Sequence, residues 1–446
     1  MSVLKTFKIG GVHPPECKYS AGEAIKALEL PKQVTIPIAQ SLGAPSKAVV
    51  AKGDEVKVGQ LIAKGEAFIS SNIHSSVSGK VLKLDEVLDQ SGYRRPCIII
   101  NVDGDEWDEN IDRSTELKKD ITATKEEIIK KIQEMGIVGL GGATFPSHVK
   151  LMVPDGKKAE VLVINGVECE PYLTADHRLM LEMADEMVIG IQILMKGLDV
   201  KRAIVGVENN KPDVIEHLNN RVKDYPGIEV CALKVQYPQG GEKQLIDAAI
   251  GRQVPSGKLP IEVGAVVNNV GTAFAVYEAV QKNKPLIDRV VTVTGKNLKE
   301  TGNFMVRIGT SVNELIEKVG GLPEDTAKVV SGGPMMGKAL NSTDVPVVKG
   351  TSGILTFEEG EAKRVETTNC IRCAKCITVC PMGLEPVLIA QYAGNELYEN
   401  VEAERAMDCI ECGSCSYTCP AGQPLLDYIR LGKYKVGEII RNRSKK

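Results

Sequence analysis

The sequence predicts a multidomain protein of the α/β class. Its 446 residues are enough for three or four domains. Short β-rich runs separated by glycine turns fill residues 33–104, whereas apolar strand and helix patterns alternate through residues 120–285. Eight of the 12 cysteines then lie together between Cys370 and Cys419. These three regions indicate separate folding units with different chemistry.

Composition and charge narrow the range of functions. Lys and Arg number 55 against 58 Asp and Glu, and the net charge of -3 offers no basic surface for nucleic acid. The amino-terminal segment lacks the apolar core of an export signal, and no run reaches the ~18 to 20 apolar residues of a membrane span. The other four cysteines stand singly, at positions 17, 97, 169 and 231, which is typical of a reducing cytoplasm.

The first segment, residues 1–32, is expected to form an extended arm. Its stretch Phe7–Pro15 contains too many glycines and prolines for a regular helix or strand. His13 has no partner at metal-ligand spacing, so we expect it to be a loop residue.

Residues 33–104 are expected to form a small all-β module. The motifs GDEVKVGQ at residues 53–60 and VSGKV at residues 77–81 resemble the barrel-sandwich fold of biotinyl and lipoyl carriers. Phe68 stands where those carriers have their modifiable lysine. A scaffold role is therefore predicted instead of covalent carriage.

The domain predicted at residues 120–285 begins with a helix and a glycine-rich loop. Thr124 and Glu127 form a capping box that starts the helix, and Gly136 ends it. The loop Ile137–Pro146 follows. Its glycines would let the backbone approach a phosphate closely.

Strands and helices then alternate as in a mainly parallel sheet. The predicted strands cover residues 161–164, 203–207, 228–234 and 265–267, and the predicted helices cover residues 178–197, 212–222, 241–250 and 272–281. Ligands of such sheets bind beyond the carboxyl ends of the strands, where three polar loops follow: Asn165–Glu170, Tyr237–Lys243 and Asn268–Thr272. Their amides, carboxylates and lysine favour a flat anionic cofactor. An ordinary dinucleotide site is not predicted, because GxGxxG with an acid ~20 residues later is not cleanly present.

Residues 286–355 return to β character. Strands are predicted at residues 290–294 and 304–308, with a helix at residues 312–319. The pattern resembles a β-grasp (SLBB) domain of the soluble-ligand-binding kind. We expect it to pack between the α/β domain and the cysteine-rich segment instead of binding its own ligand.

Residues 356–430 carry one cysteine pattern twice. It reads Cys370, Cys373, Cys376, Cys380, Pro381 and then Cys409, Cys412, Cys415, Cys419, Pro420, with a helix predicted at residues 384–399. Each copy is the CxxCxxCxxxCP run of bacterial ferredoxins, whose fourth cysteine ligates the other cluster. This predicts an α-helical double [4Fe-4S] domain with Cys370, Cys373, Cys376 and Cys419 as ligands of cluster 1, and Cys409, Cys412, Cys415 and Cys380 as ligands of cluster 2. Zinc is the alternative, but zinc sites use CxxC pairs at longer separations.

The chain ends in a basic tail, residues 431–446. From Arg430 onward it holds seven Lys or Arg against one acid. A solvated end is the simplest interpretation, and contact with an anionic membrane or a partner subunit is the alternative.

Together these features resemble the RnfC subunit of the Rnf complex, the ion-translocating ferredoxin:NAD oxidoreductase of bacterial membranes. The resemblance runs from the GGVHPP arm to the double ferredoxin segment, and the middle also resembles the FMN- and NADH-binding flavoprotein subunit of respiratory complex I. It implies two [4Fe-4S] clusters and FMN as cofactors and NAD(H) as substrate. It also implies the other Rnf subunits as partners, and a peripheral position on the cytoplasmic side of the cell membrane, with membrane contact through those subunits.

The complex I resemblance also implies the flavin-site residues. The glycine loop and lysine that hold FMN match Gly139, Gly141, Gly142 and Lys150; further cofactor contacts match Asn165, Tyr237, Gly240, Asn268, Asn269 and Thr272. Glu170, Glu242 and Phe145 match residues that orient NADH, and no acid-base catalyst is implied. Two positions depart from the pattern: Gly241 replaces the first glutamate of a YxxGEE motif, and Val167 replaces an aspartate. The CxxC cluster site of that flavoprotein is absent, and the ferredoxin segment takes its place.

The implied activity is electron transfer between ferredoxin and NAD, coupled by partner subunits to Na+ or H+ transport. Cubane clusters carry one electron and hydride carries two, so a flavin must stand between them. Two alternatives remain open. One is a soluble RnfC-like flavin and iron-sulfur protein of an amino-acid reductase system, and the other is a non-catalytic cluster scaffold whose flavin loops are relics.

Overall fold

Between residues 4 and 443, the molecule joins four β-sheets to a helical carboxyl-terminal domain. A computed structural model of the chain describes residues 4–443. The predicted multidomain α/β class is confirmed. Residues 1–3 of the arm and 444–446 of the basic tail lie outside the described residues. Between residues 4 and 443, no helix has the length and apolar character to cross a bilayer.

The barrel-sandwich domain follows the arm. The arm holds β1 (Ile25–Ala27), and the domain contains β2 (Gln33–Pro37), β3 (Lys47–Ala48), β4 (Glu55–Val56), β5 (Leu61–Lys64), β6 (Ile73–His74), β7 (Ser78–Leu88) and β8 (Arg94–Gly104). Two antiparallel sheets form, in the orders β2-β8-β7-β4 and β3-β5-β6. Their inner faces enclose a core that includes the fully buried Val34, Ile62 and Ile98.

The α/β domain, called the flavin domain after the cofactor that its sequence is expected to bind, is built on one parallel sheet, as predicted. Its elements are α1 (Lys125–Glu134), α2 (Ser147–Leu151), β9 (Val161–Asn165), α3 (Ala175–Glu182), α4 (Ala184–Leu198), β10 (Ala203–Glu208), α5 (Pro212–Arg221), β11 (Ile228–Leu233), α6 (Glu242–Ile250), β12 (Ala265–Asn269) and α7 (Val270–Lys282). The strand order is β11-β10-β9-β12. The predicted capping box of α1 forms between Thr124 and Glu127.

One predicted helix of this domain is wrong in its extent. The sequence pattern predicts a single helix at residues 178–197, but α3 and α4 are separate because Met183 leaves the helical region at φ -122° and ψ 33°. α3 also begins earlier, since the Glu168 carboxylate accepts N–H bonds from Asp176 and His177 at 2.8 and 3.0 Å. A cap supplied from a loop is not visible in the periodicity of the helix itself.

The third domain holds the largest sheet. Its elements are β13 (Asp288–Gly295), β14 (Gly302–Arg307), α8 (Val312–Lys318), β15 (Thr326–Ser331), β16 (Lys338–Ala339), β17 (Gly353–Glu358) and α9 (Glu359–Ala362). The order is β1-β14-β13-β17-β15-β16, so the arm supplies the edge strand. β1 pairs in parallel with β14, from Ile25 opposite Asn303 to Ala27 opposite Met305. Within the arm, which the sequence predicts to be extended, residues 25–27 thus form a strand that the sequence analysis does not predict.

The carboxyl-terminal domain, called the cluster domain after the iron-sulfur clusters that its sequence predicts, has five α-helices in the part that the structure describes. They are α10 (Lys375–Thr378), α11 (Pro386–Gly394), α12 (Tyr398–Ala403), α13 (Ser414–Tyr417) and α14 (Leu425–Arg443). The single helix predicted at residues 384–399 is wrong, because Glu396 adopts a left-handed backbone (φ 60°) and separates α11 from α12. α14 takes in the basic tail as far as Arg443, which forms an ion pair with Glu402.

One buried lysine joins three domains. Lys349 is 1% exposed, and its Nζ donates to Ser71 Oγ at 3.2 Å and to the carbonyl oxygens of Asn72 and Gly136 at 2.8 and 2.7 Å. Ser71 and Asn72 belong to the barrel-sandwich domain, Gly136 follows α1, and Lys349 itself precedes β17. The three N–H groups of one ammonium thus fix the relative positions of these domains.

We expect Lys349→Met to destabilise the chain by about 1–3 kcal/mol, the cost of leaving a buried acceptor unpaired. Without the lysine, the single Ser71 hydroxyl can serve only one of the two carbonyls. Chemical unfolding followed by circular dichroism measures the change, with the exposed Lys52→Met as the control. An unfolding midpoint equal to that of the control would contradict this role.

Candidate redox site

The polar loops predicted to bind a cofactor meet at the carboxyl end of the parallel sheet. β9 ends in Asn165 and β12 in Asn269, and these two residues are partners in the strand register. Asn165 Nδ2 donates to the Gly240 carbonyl at 2.8 Å, and Asn269 Nδ2 donates to the Asn165 carbonyl at 3.3 Å. Residues from three loops are therefore linked by direct hydrogen bonds.

The glycine loop is anchored at both ends. The Gly139 N–H donates to the Phe145 carbonyl at 2.9 Å and closes the loop. The Leu140 N–H donates to Thr272 Oγ1 at 2.9 Å, and this places the loop over the start of α7. Phe145 itself is half-buried. The loop is thus held by its backbone, which leaves its tip free.

The tip of this loop suits the approach of a flat nucleotide. Gly141 lies against Asn269, and an added Cβ would come within 2.8 Å of that side chain. Gly142 is exposed, and an added Cβ would meet no atom within 4 Å. Asn268 is 4% exposed, yet its Nδ2 has no hydrogen-bond partner among the described residues. Since buried donors are nearly always paired, this amide fits an acceptor that a bound FMN would supply.

Lys150 places a positive charge at the same edge of the sheet. Its Nζ donates to the Val267 carbonyl and to Glu242 Oε1, both at 2.9 Å. The side chain is 27% exposed, so one N–H remains for an anionic ligand. Glu242, predicted to orient NADH, pairs with this lysine. Gly241, which replaces a glutamate of the expected motif, precedes α6 as its cap.

Glu170, predicted to orient NADH, is held by contacts with the third domain. Its carboxylate accepts N–H bonds from Met335 and Met336 of the third domain at 3.0 and 2.9 Å, and it lies 3.4 Å from the Tyr237 hydroxyl. Burial raises the pKa of Glu170 to about 7. The carboxylate thus braces two domains and is not a free group at the sheet edge.

Lys18 is a site residue that sequence reasoning missed. Its Nζ donates to the carbonyl oxygens of Glu168, Glu170 and Leu173 at 2.9, 2.9 and 2.7 Å. Burial lowers the pKa of Lys18 to about 8. Lys211 binds the same loop from inside the domain, through the Val167 carbonyl at 2.8 Å. Two ammonium groups therefore fix the loop that follows β9.

Four of the cysteines surround one cavity. Cys380 from the first run lines it together with Cys409, Cys412 and Cys415 from the second run. The remaining wall is mainly apolar and includes Leu384, Ile389, Leu426 and Ile429. These four thiols are the set predicted for cluster 2, and an apolar pocket with four soft ligands fits an iron-sulfur cubane.

The other four cysteines lie nearer the surface. Cys370 and Cys373 are exposed, whereas Cys376 and Cys419 are half-buried. Burial raises the pKa of Cys376, and the Cys419 thiol beside it contributes to the increase. Cys376 of the first run and Cys419 of the second run pack against the same apolar core, as the predicted ligand set of cluster 1 leads one to expect.

The two cysteine runs share one backbone conformation. Left-handed residues occur at Arg372 and Ala374 in the first run, and Glu411 and Gly413 occupy the matching places in the second run. A short helix follows each loop, α10 and α13 respectively. Arg372, Ala374 and Glu411 are not glycines and adopt this conformation at an energetic cost, so its repetition indicates that both loops are shaped for the same role.

The loop of the second cysteine run contacts the flavin domain. Tyr237 is 2% exposed, and its hydroxyl donates to the Cys412 carbonyl at 2.8 Å. Val12 packs with these two residues in a small buried group that Met335 and Val379 also touch. Tyr237 precedes Gly240, which binds Asn165, so a short path of bonded atoms joins this cluster loop to the sheet edge.

Four domain families match the chain in succession. They are the RnfC barrel sandwich hybrid domain at residues 5–105, the Nuo51 FMN-binding domain at residues 132–278, the SLBB domain at residues 290–339 and the 4Fe-4S dicluster domain at residues 362–420. Two of these descriptions name the cofactor classes that the sequence predicts.

Relatives of similar length also match. The C subunit of the proton-translocating ferredoxin:NAD(+) oxidoreductase complex of Clostridium ljungdahlii is 48% identical, over 96% of this chain and 93% of the relative. The C subunit of the Na(+)-translocating ferredoxin:NAD(+) oxidoreductase complex of Acetobacterium woodii is 46% identical, over 99% and 98%. Among solved structures, an NAD+-reducing [NiFe]-hydrogenase in the H2-reduced state covers 70% of this chain and 63% of its own, with a TM-score of 0.51 and 17% identity, which shows a shared fold.

We expect Glu170→Gln to change how stability depends on pH. The pKa of Glu170 is about 7 in the folded chain against an ordinary value of 4.5, so the folded chain binds the extra proton between these values. The free energy of unfolding of the wild type, relative to the variant, should therefore fall as the pH rises from 4.5 to about 7. Chemical unfolding across this range measures it, and parallel pH profiles would contradict the assignment.

The crossed ligand sets give a second expectation. Cys380→Ala should remove cluster 2 and so give the same electron paramagnetic resonance (EPR) spectrum as Cys412→Ala, although the two residues belong to different runs. Cys419→Ala should likewise give the spectrum of Cys376→Ala. Each variant should keep about half of the iron, since the other cubane remains. If Cys380→Ala matched Cys376→Ala instead, the crossing would be wrong.

Proposed function

Because the chain belongs to the RnfC family, a subunit of the ion-translocating ferredoxin:NAD+ oxidoreductase, we propose that it passes electrons through cluster 1, cluster 2 and FMN, in that order. FMN, when bound, would exchange single electrons with a cluster and hydride with NAD(H). The chain would be peripheral, on the cytoplasmic side of the cell membrane, held there by the other subunits. Those subunits would bring electrons from ferredoxin and link the transfer to Na+ or H+ transport.

The contact between Tyr237 and Cys412 is the observation that carries this order. It puts the cluster 2 loop against the flavin domain through a hydroxyl bond of 2.8 Å. A second contact lies nearby, where Asp408 accepts the Gly257 N–H at 2.9 Å, one residue before Cys409. Both contacts involve the second run or the residue before it, which supports cluster 2 as the inner cluster.

The surface of the cluster 1 loop supports its place as the entry point. Cys370 and Cys373 are exposed, and Ile371 between them is 69% exposed. An exposed apolar residue beside two cluster ligands suits contact with another electron carrier. We therefore assign this face to the partner subunit that delivers electrons.

The residues at the sheet edge have separate roles toward FMN. Lys150 would neutralise an anionic part of the cofactor with its remaining N–H, while Glu242 holds the ammonium in place. The Asn268 amide would donate to a cofactor oxygen or nitrogen. Gly142 leaves room for the ring or its phosphate, and we assign Phe145 to the adenine of NAD(H).

The anchoring residues act indirectly. Gly139 and Thr272 hold the glycine loop, while Asn165, Asn269 and Gly240 link the loops around it. Formation of NADH takes two electrons and one proton, so two single electrons would reach FMN one after the other through cluster 2, and the proton would come from solvent. Glu170 is assigned to bracing the domains and not to orienting nicotinamide.

We expect Lys150→Met to weaken FMN binding by about 10- to 100-fold, because a charge-assisted hydrogen bond of about 1.5–3 kcal/mol is lost. FMN titration under anaerobic conditions measures the affinity, and bleaching of the flavin by NADH measures its competence. Lys157→Met is the matched control, since Lys157 pairs with Glu262 at 2.6 Å outside the proposed contacts. Equal FMN affinity in the two variants would place the cofactor elsewhere.

A further inference from the structure

The amino-terminal arm is shared between domains in a way that its sequence does not suggest. The barrel-sandwich family match begins at residue 5. In the structure, however, residues 8–18 contact the flavin domain and the cluster domain through backbone and side-chain hydrogen bonds. The arm therefore belongs, by its contacts, to two domains other than the one that follows it in the sequence.

The first contact is with Val379 and Cys380, and Cys380 is the proposed cluster 2 ligand that the first cysteine run supplies. Gly10 has φ +74°, and an added Cβ would lie 2.6 Å from the carbonyl carbon and oxygen of Cys380. The Gly11 N–H donates to the Val379 carbonyl at 2.9 Å. The Gln236 Nε2 of the flavin domain donates to the Gly10 carbonyl at 2.8 Å, so this glycine lies between the two domains. No larger residue fits there without moving Cys380.

The second contact is with the tyrosine that reaches the same cluster. Val12 and Tyr237 exchange two backbone hydrogen bonds, of 2.8 and 2.9 Å. This pair forms an antiparallel bridge. The Tyr237 hydroxyl then donates to the Cys412 carbonyl. The arm therefore contacts the first cysteine run directly, at Cys380, and the second run through Tyr237.

The third contact is with the flavin-domain loop. Lys18 uses all three N–H groups on the carbonyls of Glu168, Glu170 and Leu173. The Tyr172 N–H also donates to the Glu16 carbonyl at 2.9 Å. The arm is therefore bonded, along one short stretch, to the segment that carries a cluster 2 ligand and to the loop that follows β9.

We propose that residues 8–18 form a bracket that sets the separation between cluster 2 and the flavin loop, with Gly10 as its positioning residue. The proposal rests on the proposed function, because it concerns electron transfer between those two centres. Electron tunnelling falls exponentially with distance, so a small displacement of Cys380 slows transfer without removing either cofactor. The arm takes no part in the reaction itself. In that reaction, two reduced clusters, NAD+ and one proton give two oxidised clusters and NADH.

The test compares Gly10→Ala with the control Gly22→Ala. Both are made in the full chain, which is loaded with its iron-sulfur clusters and FMN under anaerobic conditions. Gly22 is an arm glycine at which an added Cβ meets nothing within 4 Å. The clusters are reduced with a stoichiometric amount of titanium(III) citrate and mixed rapidly with NAD+. Cluster re-oxidation and NADH formation are followed by absorbance. Bleaching of oxidised flavin by NADH is measured separately, because this hydride step does not use the clusters.

Gly10→Ala should slow cluster re-oxidation by about tenfold or more while leaving NADH bleaching at the wild-type rate. Gly22→Ala should match the wild type in both steps. If Gly10→Ala lowers the iron content, Gln236→Leu is tested in its place, since it removes only the side-chain hydrogen bonds to the arm. It should also slow cluster re-oxidation and leave the rate of flavin bleaching by NADH unchanged.

Two results would overturn the bracket. One is a wild-type rate of cluster re-oxidation in a fully loaded Gly10→Ala or Gln236→Leu variant. The other is an equal slowing of cluster re-oxidation and of flavin bleaching by NADH. Failure of the wild type itself to pass electrons from the clusters to NAD+ would instead overturn the proposed function. The two failures are therefore distinguishable.

Discussion

The structure depends on one buried contact, the hydrogen bond from the Tyr237 hydroxyl to the Cys412 carbonyl. It is the place where the flavin domain, the arm and the cluster domain meet, and the third domain reaches it through Met335. A tyrosine suits this position, because its ring fills an apolar junction while its hydroxyl satisfies a buried acceptor. A cluster loop fixed in this way has a defined position relative to the flavin loops, which single-electron transfer requires.

Polar groups, not only apolar packing, fix the domains relative to one another. Lys349 joins the barrel-sandwich and flavin domains to the third domain, Lys18 ties the arm to the flavin loop, and Glu170 binds the amides of Met335 and Met336. Buried polar groups are costly unless paired, so each of them tolerates few alternative geometries. These bonds hold the domains that carry the proposed redox centres in one arrangement. This arrangement agrees with family membership as an electron-transfer subunit and leaves little support for a scaffold with relic loops.

Local patterns allowed much of this to be predicted. The capping box at Thr124, the parallel sheet and the grouping of Cys380 with the second cysteine run all follow from spacings within short segments. The role of Lys18 could not be predicted, because its nearest acceptor in the sequence lies 150 residues away. Strand β1 was missed for the same reason, since its partner Asn303 belongs to another domain. The position of Glu170 depends on domain packing, which motifs within one domain do not encode.

The central claim is that cluster 2, and not cluster 1, adjoins the flavin. Pulsed EPR of partly reduced protein tests it most directly, because a nearby paramagnetic cluster accelerates the spin relaxation of a flavin radical. This acceleration should persist in Cys370→Ala, which lacks cluster 1, and vanish in Cys380→Ala, which lacks cluster 2. Acceleration that vanishes in Cys370→Ala and persists in Cys380→Ala would contradict the claim.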